Sequence, residues 1–215
     1  MTTENMTTGT PTSRKEKVKI QVKNPSQERS RQTVLTILNA CEDILINEGF
    51  FGVTTDKIAK NAGVSIGSLY QFFGNKESVV SAVVHELLKN DQELFLSRIK
   101  GIETLSYPEK VHRLVDVAVD IYSVKPLLRQ KLQNMQVYLA DQQVMSSVMG
   151  SYFNLIESIL TPIEGRDTRT RALVAVTAFS GLMDRMIVEC PNIRENKALV
   201  QEIHRLFEGY ILTDK

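Results

Sequence analysis

Thr54, Ala59, Gly63, Ser65 and Leu69 stand at the offsets of a tight helix-turn-helix within the run Thr54-Thr55-Asp56-Lys57-Ile58-Ala59-Lys60-Asn61-Ala62-Gly63-Val64-Ser65-Ile66-Gly67-Ser68-Leu69-Tyr70-Gln71-Phe72-Phe73. Thr54 suits the N-cap of a helix of about two turns. Ala59 is small, so a second helix can approach closely. Gly63 supplies the positive φ that a sharp turn needs, and Val64 fills the inside of that turn. Ser65 caps the second helix, and Leu69 returns to the core one turn later. A two-turn helix, a three-residue turn and a second short helix is the geometry that lays a recognition helix in the DNA major groove. An ordinary αα-hairpin is the bland alternative. The small residue, the glycine and the cap occurring together at fixed offsets weigh against it.

Short helices of this kind need tertiary support. Upstream, Val34, Ile37, Leu38, Cys41, Ile44 and Leu45 recur at three- and four-residue steps, one buried helical face, and Gly49 is placed to end that helix. Phe73 adds a second support. Downstream, the chain reads as helices throughout. Asn75 caps one running to about Lys100. Ser106 to Glu109 is a capping box with Pro108 in the first turn, opening a helix to about Ser123. Pro126 opens another to about Leu139, Asp141 caps one ending near Leu160, and Asp167 caps one ending at Cys190. Asn192 to Glu195 begins the last. The fold class is all-α, expected as an N-terminal three-helix DNA-binding domain followed by a C-terminal helical domain. The expected boundaries are 1–24 for a disordered basic arm, 25–90 for the DNA-binding domain, with its helix-turn-helix at 54–73, and 91–215 for the remainder.

These residues resemble the TetR/AcrR family of bacterial regulators. The matching features are Gly49 after a long first helix, Thr54-Thr55, Ile58-Ala59, Ala62-Gly63-Val64-Ser65, Gly67-Ser68-Leu69-Tyr70, Phe73 and Lys76. The resemblance covers roughly residues 30 to 90 and implies an all-helical homodimer. Such a protein is usually a repressor, released from a palindromic double-stranded operator when a small molecule binds its C-terminal domain. It further implies that the Thr55 and Tyr70 hydroxyls and Lys76 contact phosphate, while the helix ends at Thr54 and Ser65 direct N–H groups toward it. Ile66, Gly67, Ser68 and Gln71 hold the groove-facing positions. There Gln71 suits adenine and Ile66 a thymine methyl, and Gly67 lets the backbone come close. Phe72 departs from the family, which often has Tyr or His there; it is assigned to packing or a thymine-methyl contact.

The recognition helix has no Lys or Arg, so electrostatic attraction must come from elsewhere. Lys76, Arg29 and Arg31 are candidates, and Lys57 and Lys60 read equally as phosphate contacts or as solvated residues. The segment Met1–Arg31 carries seven basic and three acidic residues, although the whole chain has a net charge of only +1. That segment reads equally well as a phosphate-seeking arm or as a solvated tail.

For the C-terminal part, Tyr122, Met135, Tyr138, Met145, Met149, Tyr152, Phe153 and Phe179 are the candidates for lining an effector pocket, and their mixture points to a largely apolar small molecule. Each of them is also an ordinary core residue by type. His112, Arg113 and Arg129 are the polar groups able to orient a ligand, although exposed positions are expected for all three. By the family resemblance, the last two helices pair with their copies in a homodimer. Its interface residues would be Ala175, Phe179, Leu182, Met186, Leu199, Ile203, Leu206, Phe207 and Tyr210; an intramolecular core is the alternative for the same periodicity.

Other classes find little support. There is no Gly-rich phosphate loop, no G-x-S-x-G and no His/Cys cluster at ligand spacing, and His85, His112 and His204 stand isolated in the sequence. No enzyme activity, cofactor or metal is expected. Two cysteines make no disulfide framework, and Cys41 on an apolar stripe reads as a buried structural thiol. No apolar run suits a membrane span or a secretory signal, so the expected setting is cytoplasmic. An all-helical interaction protein and a ligand-responsive activator are the alternative functions.

Overall fold

The apolar stripe that begins at Val34 forms one face of α1 (Glu28–Glu48) in a computed structural model that describes residues 28–133 and 142–212. Ile37, Cys41 and Leu45 on that face are fully buried. Burial, with Glu42 beside it, pushes the Cys41 thiol up to about 12, as expected of an inert structural cysteine. Gly49 ends α1 at φ 72°. The chain then makes a short 3-10 turn over Phe50–Gly52 that the sequence pattern does not announce.

Three helices follow: α2 (Thr55–Ala62), α3 (Ile66–Phe72) and α4 (Lys76–Arg98). Ile58, Ala59, Leu69, Phe73, Val79, Val80, Val83 and Val84 join the α1 face in one apolar cluster. The next helices are α5 (Tyr107–Ser123) and α6 (Pro126–Leu132). Leu128 and Leu132 of α6 also enter this first cluster, so α6 is packed onto α1–α4 although it lies outside their sequence segment. The segment expected to continue α6 to Leu139, the capping Asp141, Met135, Tyr138 and the basic N-terminal arm all lie outside the described residues.

The remaining helices are α7 (Gln142–Ile159), α8 (Thr168–Glu189) and α9 (Lys197–Leu212). Asp167 caps α8 as expected, accepting from the Thr170 N–H at 2.7 Å. The last helix starts later than the sequence suggests. Asn192 precedes a 3-10 turn, Ile193–Glu195, and the cap is Asn196, whose Oδ1 accepts from the Leu199 N–H at 3.1 Å. The reason is packing: Ile193 is fully buried against Val115, Val119, Met183, Ile203 and Phe207, so the chain is pinned there before it turns into α9. Among the described residues there is no strand, only an isolated bridge between Ile163 and Arg166. No helix among them is long and apolar enough to cross a membrane.

Candidate nucleic-acid interface and ligand cavity

Thr54 caps α2 by accepting from the Lys57 N–H at 3.2 Å. At the other end Gly63 adopts φ 65°. Its N–H reaches the Lys60 carbonyl at 3.2 Å and that of Val64 reaches Ala59 at 3.0 Å. These paired bonds are a Schellman closure, which satisfies the last carbonyls and turns the chain within three residues. Ser65 then caps α3, accepting from the Ser68 N–H at 3.0 Å. α3 is anchored from below by Leu69 and Phe73, both essentially fully buried.

The opposite face of α3 is left to solvent. Ile66, Gly67, Tyr70 and Gln71 are exposed and Ser68 is half-buried. A Cβ on Gly67 would meet only the Ser65 hydroxyl oxygen, at 3.8 Å, so that surface is open. Thr55 and Tyr70 are brought together, their hydroxyls 3.2 Å apart, which joins the start of α2 to the middle of α3. Lys76, at the head of α4, lies with Nζ 4.4 Å from the centre of the Phe50 ring. That cation–π contact favours this position. Phe72 is half-buried and packs on the first apolar cluster, its packing alternative. Lys57 is ion-paired with Glu48, and Lys60 and Arg31 are exposed.

A cavity of about 120 Å³ lies among α4, α5, α7, α8 and α9. Tyr122, Tyr152 and Phe179 line it, as expected from sequence. Phe153 does not; it packs with Val111, Leu160 and Ala172 instead. Met145 and Met149 fall on α7, but their side chains lie outside the described residues. The wall that sequence reading missed is the inward stripe of α5, Leu114, Val115, Ala118 and Ile121, together with Phe95, Ile156, Val176 and Ser180. Leu114, Ala118 and Ile121 stand three and four residues apart, a spacing that marks a buried face but not one that faces a void. The Tyr152 hydroxyl is buried without a hydrogen-bond partner among the described residues. Burial pushes its pKa up to about 12, so it stays a neutral donor.

Of the residues expected at a dimer interface, most also make contacts within this chain. Ala175 and Phe207 line the cavity, and Ile203 is buried against α5 and α8. Leu182, Met186 and Leu199 pack at the edge of the same cluster, and Tyr210 at the edge of another. Leu206 does project outward, 57% exposed. Leu173 and Val174 on α8 are exposed large apolar residues.

Arg129 also departs from expectation. It is buried, its Nη2 bonded to Asp91 of α4 at 2.5 Å and its Nε to the Val124 carbonyl at 2.8 Å. Its guanidinium lies 5.5 Å from the Tyr122 ring centre, at the cavity wall. Arg113 is exposed and donates to the Arg98 carbonyl at 3.3 Å. His112 is exposed but not isolated: its ring stacks on that of His204 with centroids 4.2 Å apart.

Comparison with known proteins agrees with this geometry. Residues 37–83 match the family model described as bacterial regulatory proteins, tetR family. The chain is 23% identical over 167 residues to the HTH-type transcriptional regulator UidR of Escherichia coli strain K12, covering 76% of this chain and 80% of that protein. The fold matches FadR from Bacillus subtilis in complex with stearoyl-CoA, with TM-score 0.61, 21% identity and coverage of 82% and 97% of the two chains. It also matches the multidrug binding protein EbrR complexed with malachite green, with TM-score 0.66, 13% identity and coverage of 86% and 99%. Residues 37–83, which hold the Schellman-closed helix-turn-helix braced by α1 and α4, thus match the DNA-binding region of the tetR family of bacterial regulatory proteins.

Proposed function

We propose that the protein is a homodimeric repressor in the cytoplasm that leaves a palindromic operator when a largely apolar small molecule enters the cavity. The observation that carries this reading is the double attachment of α6. Leu128 and Leu132 sit in the core of the DNA-binding helices. From the same short helix, Arg129 contacts Tyr122 at the cavity wall, and Gln133, just past its end, donates to the Asp184 carbonyl of α8. A ligand that moves Tyr122 therefore acts on a helix that the DNA-binding core also holds. Such a ligand shifts the equilibrium only by its difference in affinity for the two arrangements.

The lining is almost wholly apolar, with the Tyr152 hydroxyl as a buried donor in want of an acceptor. The stearoyl-CoA and malachite green held by the two structural neighbours are both ligands with large apolar parts, which supports the same class here. Pairing through α8 and α9 is supported by their exposed Leu173, Val174 and Leu206. The test is fluorescence anisotropy on DNA from the gene's own upstream region, repeated with stearoyl-CoA and with malachite green. Binding at low salt that either compound reverses is the expected result. Absence of binding at low salt would overturn the DNA-binding half of the proposal, and indifference to both compounds would count against the apolar-effector half.

Two substitutions separate attraction from readout. Lys76→Ala is expected to weaken binding to all sequences alike and to lower the slope of log K against log salt by about 0.9, one phosphate's worth. Gln71→Ala is expected to relax preference at one operator position, a loss of about 1–3 kcal/mol of discrimination. Undiminished discrimination at every position would remove Gln71 from direct readout.

A further inference from the structure

His112 and Asp116 lie one turn apart on α5, and His204 and Glu208 one turn apart on α9. Packing of these two helices brings together four groups that are far apart in sequence. Glu208 Oε1 lies 2.7 Å from His112 Nδ1 and 2.7 Å from His204 Nδ1. A carboxylate only accepts, so both Nδ1 atoms carry protons. In the neutral imidazoles the lone pairs are then on Nε2, and both of these face Asp116. His204 Nε2 is 3.3 Å from Asp116 Oδ1, and His112 Nε2 is 3.7 Å from Oδ2. One ligand atom from each of His112, Asp116 and His204 lies within 4.8 Å of the others.

We propose that His112, His204 and Asp116 form a binding site for a divalent transition-metal ion of the Zn²⁺ class. Two imidazole nitrogens and one carboxylate oxygen suit zinc and its neighbours, with the fourth position left to water. Calcium and magnesium prefer all-oxygen shells. Glu208 supplies what metal-bound histidines commonly have, a carboxylate on the far ring nitrogen that fixes the tautomer and aims the lone pair. Without a cation, two lone pairs and a carboxylate face one another. Arg194 bonds Asp116 Oδ1 at 3.0 Å. It takes one carboxylate oxygen, leaves Oδ2 toward His112, and tempers the affinity by its charge.

The site clamps α5 to α9. Those helices give the cavity Leu114, Val115 and Ala118 on one side and Phe207 and Ile211 on the other, so a bound ion stiffens the cavity wall from outside. The test is direct metal binding to the tag-free full chain after chelator treatment, with no DNA present. Cobalt(II) is titrated while visible absorption is recorded, zinc is used to compete it away, and melting is followed by circular dichroism. Expected are ligand-field bands saturating at one ion per protomer, displacement by zinc, and a melting temperature raised by zinc.

His112→Ala changes an exposed side chain, so the fold should persist, and it is expected to weaken binding by more than tenfold. Glu208→Gln is expected to cost about 10–100-fold through lost orientation, and His85→Ala to leave affinity unchanged. Absence of the bands in folded protein, or His112→Ala affinity equal to that of the parent, would overturn the site.

Discussion

Arg129→Met is expected to destabilise the protein by about 3–5 kcal/mol, the usual cost of breaking a buried ion pair from one side. Asp91 and Arg129 are 5% and 7% exposed, so removing the guanidinium leaves a carboxylate with neither water nor a counter-ion. The pH dependence gives the mechanism away. Burial already holds the Asp91 carboxyl above its ordinary range, with the charge and hydrogen bond of Arg129 pulling the other way. With Arg129 gone only burial remains, and the folded-state pKa climbs further. A carboxyl whose folded pKa is raised contributes stability below its unfolded pKa and loses it as pH rises through the folded value. The deficit of Arg129→Met should therefore be largest near neutrality and shrink as pH falls toward the ordinary carboxylate range. Urea unfolding at neutral and mildly acidic pH measures this. In the Asp91→Leu, Arg129→Met double variant much of the loss should return, because no buried charge is left. A deficit that does not change with pH, or one below about 1 kcal/mol, would show that the pair is dispensable. The consequence for regulation follows from position: the pair ties α6 to α4 beside the cavity wall, so the double variant should fold yet answer its effector differently.

How far sequence reading reached depended on the range of the interactions. The Thr54 cap, the Gly63 turn and the Ser65 cap are local, each settled by residues within five positions, and all were legible. Cys41 and Leu69 were legible because one periodic face leaves a single place for them. Phe207 and Ile203 were assigned to a dimer interface, but periodicity marks only a buried face. It does not say whether a neighbouring helix or a second copy covers it. Leu206, one residue before Phe207, is the side chain that points outward. Arg129 and Asp91 are 38 positions apart, and no local pattern announces a buried pair. His112 and His204 looked isolated for the same reason. A carboxylate four residues after each histidine was a weak hint, and only the packing of α5 on α9 turns it into a cluster.

Leu69→Ala tests whether the recognition helix depends on the core beneath it rather than on its own sequence. α3 has seven residues, Ile66–Phe72, well short of the length at which an isolated helix holds together in water. Its cap at Ser65 satisfies one end, but Leu69, fully buried, is the side chain that fastens the middle of the helix into the apolar cluster it shares with α1 and α2. Removing it should cost about 2–5 kcal/mol, through lost burial and the cavity left behind. Gln71→Ala, on the exposed face of the same helix, should stay within about 0.5 kcal/mol of the parent. Operator binding should separate the two in another way. Gln71→Ala should lose affinity only for operators with its preferred base and leave binding to other sequences unchanged. Leu69→Ala should lose affinity for every sequence by about tenfold or more, a difference of about 1.4 kcal/mol, because exposed Ile66, Tyr70 and Gln71 lose their shared platform. Anisotropy at a temperature where circular dichroism still shows the folded chain makes the comparison fair. If Leu69→Ala kept parental operator affinity while unfolding more easily, α3 would be holding its shape against DNA without the core, and the support assigned to α1 would be unnecessary for recognition.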